Sequence, residues 1–179
     1  MKILQPQTML HWLRIYHLYQ TAFPASEKKP FSIIRSMNKK GKSDVWYVQN
    51  RGKFAGFVIT INGDDIILLD YLAVASHMRG KGIGSIILQK MRKYYAGKGV
   101  FLEIETVLEK ADNIEERKRR KQFYLQNGMT EMHVLANLFG VNMELLGFDC
   151  ILDFEGYQNF YRDNYGEYAV NHIKPVTNL

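Results

Sequence analysis

Arg79-Gly80-Lys81-Gly82-Ile83-Gly84 brings two cations and three glycines together within six residues. Glycine lets a backbone turn sharply and carry its N–H groups close to something outside the chain. Beside a helix N-terminus, such donors and cationic side chains suit an anion such as a pyrophosphate. The spacing narrows the kind of site. A dinucleotide fingerprint needs a third glycine at position 87, which is Ile87, and a Walker A loop needs Gly-Lys-Ser/Thr at its end, which is missing here. What remains is Arg-x-x-Gly-x-Gly, filled by Arg79, Gly82 and Gly84. Taken alone, six residues describe a solvated glycine-rich turn equally well, so the flanking elements must decide.

Ile66–Val74 is almost unbroken apolar sequence and reads as a buried strand, while Ile83, Ile87, Met91 and Tyr94 recur at helical spacing. The loop therefore joins a strand to a helix. Upstream, residues 45–49 and 54–61 read as strands joined by Asn50-Arg51-Gly52-Lys53, and Asn62-Gly63 marks a tight turn into the central strand. Downstream, Gly97-Lys98-Gly99 breaks the chain and residues 100–107 form a strand; a crossover helix makes it parallel to Ile66–Val74. Residues 115–127 read as a helix closed by Asn127-Gly128, and Thr130–Leu138 with 142–148 as a last strand pair. At the amino end, Met9, Trp12, Tyr16, Tyr19 and Phe23 share a helical stripe over residues 7–21, stopped by Pro24; a short helix over 31–38 follows. At the other end, Phe154, Tyr157, Tyr161, Tyr165 and Tyr168 lie on one face of a helix.

A chain of 179 residues with 46% hydrophobic content can bury one substantial core, so one domain over 1–179 is expected. The single Cys150 excludes an intramolecular disulfide, no apolar run nears membrane-spanning length, and no signal-peptide pattern opens the chain. A cytoplasmic protein is the expectation. His11, His17, His77, His133 and His172 are scattered without metal-ligand spacing, so no metal is expected. The net charge of +6 suits a polyphosphate cofactor as well as nucleic acid; its densest run, Arg117-Lys118-Arg119-Arg120-Lys121, reads as a solvated helix face.

The strand–loop–helix segment closely resembles the pyrophosphate loop of the GNAT superfamily, the acetyl-CoA-dependent N-acyltransferases. Phe123-Tyr124-Leu125-Gln126-Asn127-Gly128-Met129 resembles that superfamily's second element, a tyrosine four residues before a glycine that precedes an apolar residue. The resemblance covers about 46–148. It implies an α+β fold: a mixed, mostly antiparallel sheet with a parallel, splayed central strand pair, flanked by helices, followed by the aromatic helix over 154–168. It implies acetyl-CoA as cosubstrate, with Arg79, Gly80, Lys81, Gly82, Ile83, Gly84 and Ser85 at the pyrophosphate. Backbone groups of Leu72, Ala73 and Val74 would bond the pantetheine arm, and Tyr124 would touch the cofactor too. One position departs: many members carry asparagine seven residues before the tyrosine, where this chain has Arg117. Arg117 or Arg120 is then a candidate for a cofactor phosphate.

Acetyl transfer from a thioester to an amine needs a neutral amine, a stabilised oxyanion and a proton for the departing thiolate. A phenol of ordinary pKa about 10 holds its proton at neutral pH, which suits Tyr124 to the last role. Glu103 is the leading candidate for the base, since by the same resemblance a glutamate here deprotonates the amine, often through water; strand alternation puts it on one face with Glu105, and Asp70 on the neighbouring strand or water competes. Cys150 lies in no motif, so direct transfer without a covalent enzyme intermediate is expected. The acceptor is a primary amine on a small molecule or peptide, unspecified by any readable code. The alternatives are a CoA-binding regulatory module without turnover and a nucleic-acid binder using the basic run. The latter lacks aromatic base platforms, so no nucleic acid or membrane partner is expected. The aromatic helix is expected to pack on the sheet or on a second subunit, which leaves a homodimer open, with lining of the substrate site as the lesser alternative.

Overall fold

The computed structural model describes residues 1–176. By contact density the chain divides into two compact units, Met1–Asn62 with Leu69–Met91, and Gly63–Leu68 with Arg92–Leu179.

The first unit holds β1 (Lys2–Leu4), α1 (Met9–Ala22), α2 (Phe31–Lys39), β2 (Ser43–Asn50), β3 (Lys53–Asn62), most of β4 (Ile66–Val74) and the bulk of α3 (Ile83–Tyr94). The β2–β3 hairpin closes at Arg51 and Gly52 with φ of 48° and 78°, the two positive values a type I′ turn needs. Thr8 caps α1, its hydroxyl accepting the His11 N–H. The expected stripe on α1 is rotated: Ile15, Leu18 and Tyr19 are buried with Trp12 and Phe23 packed beside them, while Met9 is 67% exposed. Residues 9–19 are apolar on nearly every side, so periodicity leaves the phase open and packing selects it. Tyr19 sits at the centre, with the rings of Phe23, Phe31, Phe57 and Tyr71 around it. Gly56 lets β3 press against β4, because a Cβ there would strike the Ala73 carbonyl. Just past β4, the Ala75 N–H bonds the Ala55 carbonyl at 2.9 Å. The end of β4 is thereby fixed where the loop begins.

On α3, Ile83, Ile87, Leu88 and Met91 are buried, but Tyr94 is 59% exposed and Tyr95 is the buried ring instead. The expected stripe thus holds for its first three members and fails at the last, where the helix ends and the chain turns.

The second unit begins with the first residues of β4 and continues through β5 (Gly99–Glu105), α4 (Ile114–Gln126), β6 (Thr130–Leu138), β7 (Val141–Phe148), α5 (Phe154–Tyr165), α6 (Glu167–Val170) and β8 (Ile173–Pro175). Ile66, Ile67 and Leu68 pair in parallel with Gly99, Val100 and Phe101, and the ladder stops there. The β6–β7 turn again has two positive φ values, 49° at Phe139 and 90° at Gly140. The aromatic helix differs from expectation: it ends at Tyr165 because Gly166, at φ 79°, donates its N–H to the Arg162 carbonyl and breaks the run. Tyr168 then falls on α6 and is 71% exposed, whereas Tyr157, Phe160 and Tyr161 are buried.

Eight strands form one sheet in the order β1-β2-β3-β4-β5-β7-β6-β8, with β4–β5 parallel and the other registers described antiparallel. The fold is α+β, a mostly antiparallel sheet flanked by helices. Among the described residues no helix is long and apolar enough to cross a membrane.

Candidate active site

In the first unit the loop residues after β4 form a donor set. The Ile86 N–H bonds the Gly82 carbonyl at 3.1 Å, which is the first α-helical bond of α3. The N–H groups of Gly82, Ile83, Gly84 and Ser85 therefore have no partner inside the helix. Gly82 carries no side chain to cap them. Gly80 and Gly82 stand at φ of 71° and 69°, and a Cβ at either would meet nothing within 4 Å. These donors stand at the positive end of a helix dipole, and with open space around the Cβ positions of Gly80 and Gly82 the loop fits a diphosphate.

The two cations brace this loop. Arg79 Nε donates to the Val74 carbonyl at 3.2 Å and Lys81 Nζ to the His77 carbonyl at 2.9 Å. Of the three backbone positions expected to meet a pantetheine arm, Val74 thus already shares its carbonyl, Ala73 is buried, and Leu72 is half-buried.

Asp70, the competing base, is held by Lys29, whose Nζ lies 2.8 and 2.9 Å from its two oxygens, and its side chain is only 6% exposed. Next to it the Tyr71 hydroxyl donates to the Glu27 carbonyl at 2.7 Å and accepts the Lys29 N–H at 3.2 Å. Both oxygens of the Asp70 carboxylate are thus taken up by one ammonium in a largely buried ion pair.

In the second unit Glu103 lies on β5 opposite Leu145. Its Oε1 accepts the hydroxyls of Tyr157 at 2.6 Å and Tyr161 at 2.8 Å, both from α5. The sequence reading gave these tyrosines a packing role, and nothing local links residues 54 and 58 positions apart. The one available signal was two hydroxyl-bearing rings four residues apart on a buried face.

Glu105, on the same face of β5, receives Arg117 at 2.7 Å, and Arg120 lies 3.9 Å away. Arg117 also donates to the Thr106 carbonyl at 3.1 Å and to Asn113 Oδ1 at 2.8 Å. Its guanidinium is committed inside this unit, which argues against the expected phosphate contact. Lys121 reaches Glu144 at 2.6 Å and Glu131 at 3.1 Å; burial works against its charge, but the two carboxylates outweigh that and raise its pKa. The basic run is therefore no plain solvated face, since three of its five members, Arg117, Arg120 and Lys121, pair with strand carboxylates.

Tyr124 stands on the last turn of α4, and the geometry explains its motif. Gly128, at φ 91°, donates its N–H to the Leu125 carbonyl at 2.9 Å, and the buried Met129 donates to the Tyr124 carbonyl at 3.2 Å. This is a Schellman ending: glycine four residues on supplies the left-handed position, and the apolar residue after it anchors the chain. The spacing thus fixes the helix end that presents Tyr124. Burial pushes the Tyr124 phenol's pKa up, with the Arg120 charge opposing, so it keeps its proton well beyond neutral pH. The Cys150 thiol is pushed up to about 11, first by burial and then by the Asp149 charge.

The fold has close counterparts among solved structures. A Bacteroides thetaiotaomicron protein named as a GNAT-family acetyltransferase superposes with a TM-score of 0.79 at 20% identity, over 93% of this chain and 99% of that one. An aminoglycoside 6'-N-acetyltransferase complexed with coenzyme A gives 0.66 at 18% identity, over 83% and 96%. In sequence, the Bacillus subtilis protein YjbC, named as an acetyltransferase, is 31% identical over 109 residues; that match spans 58% of this chain and about half, 52%, of YjbC. The model of the acetyltransferase (GNAT) family matches residues 12–124, from α1 through the glycine loop to Tyr124 itself, and the chain belongs to that family.

Proposed function

We propose that this chain is an N-acetyltransferase that moves an acetyl group from acetyl-CoA directly to a primary amine. The observation that carries the reading is the uncapped start of α3, where Gly82, Ile83, Gly84 and Ser85 have N–H groups without a partner inside the helix, within the family-matched segment. When bound, acetyl-CoA supplies an activated thioester carbonyl. Gly82, Ile83, Gly84 and Ser85 hold its diphosphate through main-chain N–H groups, while Arg79 and Lys81 add charge and keep the loop in place. Main-chain groups of Leu72 and Ala73, and the second lone pair of Val74, bond the amide-bearing arm.

Glu103 takes the proton that the attacking amine must lose, and Tyr124 gives its phenolic proton to the sulfur as the C–S bond breaks and the N–C bond forms. A main-chain N–H of β4 meets the oxyanion. The products are an acetamide and a thiol. The support for Tyr124 is its place on the capped end of α4 at the close of the family-matched residues. A cytoplasmic enzyme working on a small-molecule or peptide amine without nucleic acid is part of the same reading, since ion pairs occupy much of the basic run.

Two measurements test it. Calorimetry is expected to show acetyl-CoA binding, and thiol release is expected with at least one amine of a panel containing kanamycin, spermidine, free amino acids and an alanine-terminated peptide. Absent acetyl-CoA binding overturns the reading. Tight binding with no thiol release across the panel replaces it with a CoA-binding regulatory module.

A further inference from the structure

We infer that Tyr157 and Tyr161 are positioning residues for Glu103, so that α5, outside the family-matched residues 12–124, is part of the reaction's machinery. The inference rests on the reading of Glu103 as the base. Both hydroxyls converge on one carboxylate oxygen, and both rings are buried, 0% and 2% exposed. A buried phenol needs a partner, and α5 shows that packing alone would not require one: Phe160, between the two tyrosines, is equally buried without a hydroxyl.

The donors are themselves held. Tyr157 meets Phe101 edge-on at 6.3 Å and Tyr161 at 5.1 Å, and Tyr161 stacks on Tyr165 at 5.3 Å. Asp153 fixes the start of the helix by accepting the Gly156 N–H at 2.8 Å. A glutamate has three rotatable bonds, and a base that swings freely is seldom in the geometry that proton transfer requires. Two short O–H···O bonds to Oε1 fix the plane of the carboxylate and hence the direction of Oε2.

Tyr157→Phe, Tyr161→Phe and the double variant test this, each made alone and with Glu103→Gln. With acetyl-CoA and the fastest amine of the panel above, each single change is expected to lower kcat about tenfold, with KM, acetyl-CoA affinity and Tm nearly unchanged. In the Glu103→Gln background the tyrosine changes are expected to have no further effect, because the group they position is gone. In protein labelled at the glutamate carboxyl carbons, the resonance lost in Glu103→Gln is expected to move in each Phe variant. A double Phe variant with wild-type kcat, beside an inactive Glu103→Gln, overturns the positioning role and leaves the base standing. Losses that persist undiminished in the Glu103→Gln background make α5 merely structural. An active Glu103→Gln overturns the base reading and this inference together.

Discussion

The two units of the chain divide the work of holding charge in opposite ways. The first carries thirteen Lys and Arg against three Asp and Glu, a net of +10; the second carries eleven against fifteen, a net of −4. The total of +6 conceals this split. The five-residue basic run that dominates the charge pattern belongs to the acidic unit, where Glu105, Glu131 and Glu144 engage it. The real cationic excess is dispersed over the first unit, which also holds the loop at the start of α3. A field of one sign around a backbone donor set raises the local concentration of anionic ligands. The second unit instead places single carboxylates by side-chain hydrogen bonds and ion pairs, as Tyr157 and Tyr161 do for Glu103 and Arg117 does for Glu105.

The largest effect is expected where that side-chain chemistry is removed. Tyr124→Phe deletes one hydroxyl and keeps the ring, so Tm and acetyl-CoA affinity should hold while kcat falls about a hundredfold to ten-thousandfold, the usual contribution of a positioned general acid. Because the phenol's pKa is raised above 10, the wild-type rate should show no alkaline fall from this group below that pH. Wild-type turnover by the variant would make Tyr124 a packing residue only.

In the first unit the matching test separates backbone shape from charge. Gly82→Asn and Gly82→Asp both place a side chain at φ 69°, a conformation these two residues tolerate better than others. Only aspartate adds a negative charge to the donor set. Calorimetry should show acetyl-CoA affinity reduced about a hundredfold or more by Asp and clearly less by Asn. Equal losses would mean that the loop works by shape, and the contrast between the units would lose its electrostatic half.

Lys29 is a cation of the first unit whose task is to pair a buried carboxylate. Lys29→Ala leaves Asp70 buried without its ion partner, which costs about 2 kcal/mol once the partial exposure of Lys29 is allowed for. Thermal unfolding should show Tm lower by about 4–8 °C. Lys53→Ala, at an exposed hairpin end, should leave Tm unchanged; parity between the two variants would show that Lys29 is one more solvated charge.

What the sequence revealed divides along the same line. Ile66–Val74 was readable to the residue, as was the Asn50-Arg51-Gly52-Lys53 turn, because apolar runs and positive-φ turns are local. The Tyr124 motif was readable as a spacing because a Schellman ending is a spacing. The strands β1 and β8 have three residues each, too few for a period. The phase of α1, the exchange of Tyr95 for Tyr94, the break at Gly166 and the Tyr157–Glu103–Tyr161 cluster were hidden because packing or long-range pairing decides them. The family match takes in α1 and α2, whose residues show no motif of their own.

Cys150 offers the smallest expected effect and a sharp test of how burial works in the second unit. Burial raises the pKa of both Tyr124 and Cys150, and for the thiol the consequence is a poor nucleophile, because only the thiolate attacks. Gly99 and Gly147 both lie against the Cys150 side chain, so closely that a Cβ at Gly99 would collide with it. With a pKa of about 11 against an ordinary 9.0, the thiolate fraction at neutral pH falls about a hundredfold. Iodoacetamide should therefore label Cys150 about a hundredfold more slowly than an ordinary exposed cysteine at pH 7.5, with the rate rising about tenfold per pH unit toward 11. Cys150→Ser should leave turnover within about twofold, since direct transfer asks nothing of this residue. Mass spectrometry of the protein mixed with acetyl-CoA alone decides the matter: an acetyl group found on Cys150 would replace direct transfer with a covalent route and move the nucleophile into the unit assigned only acid and base.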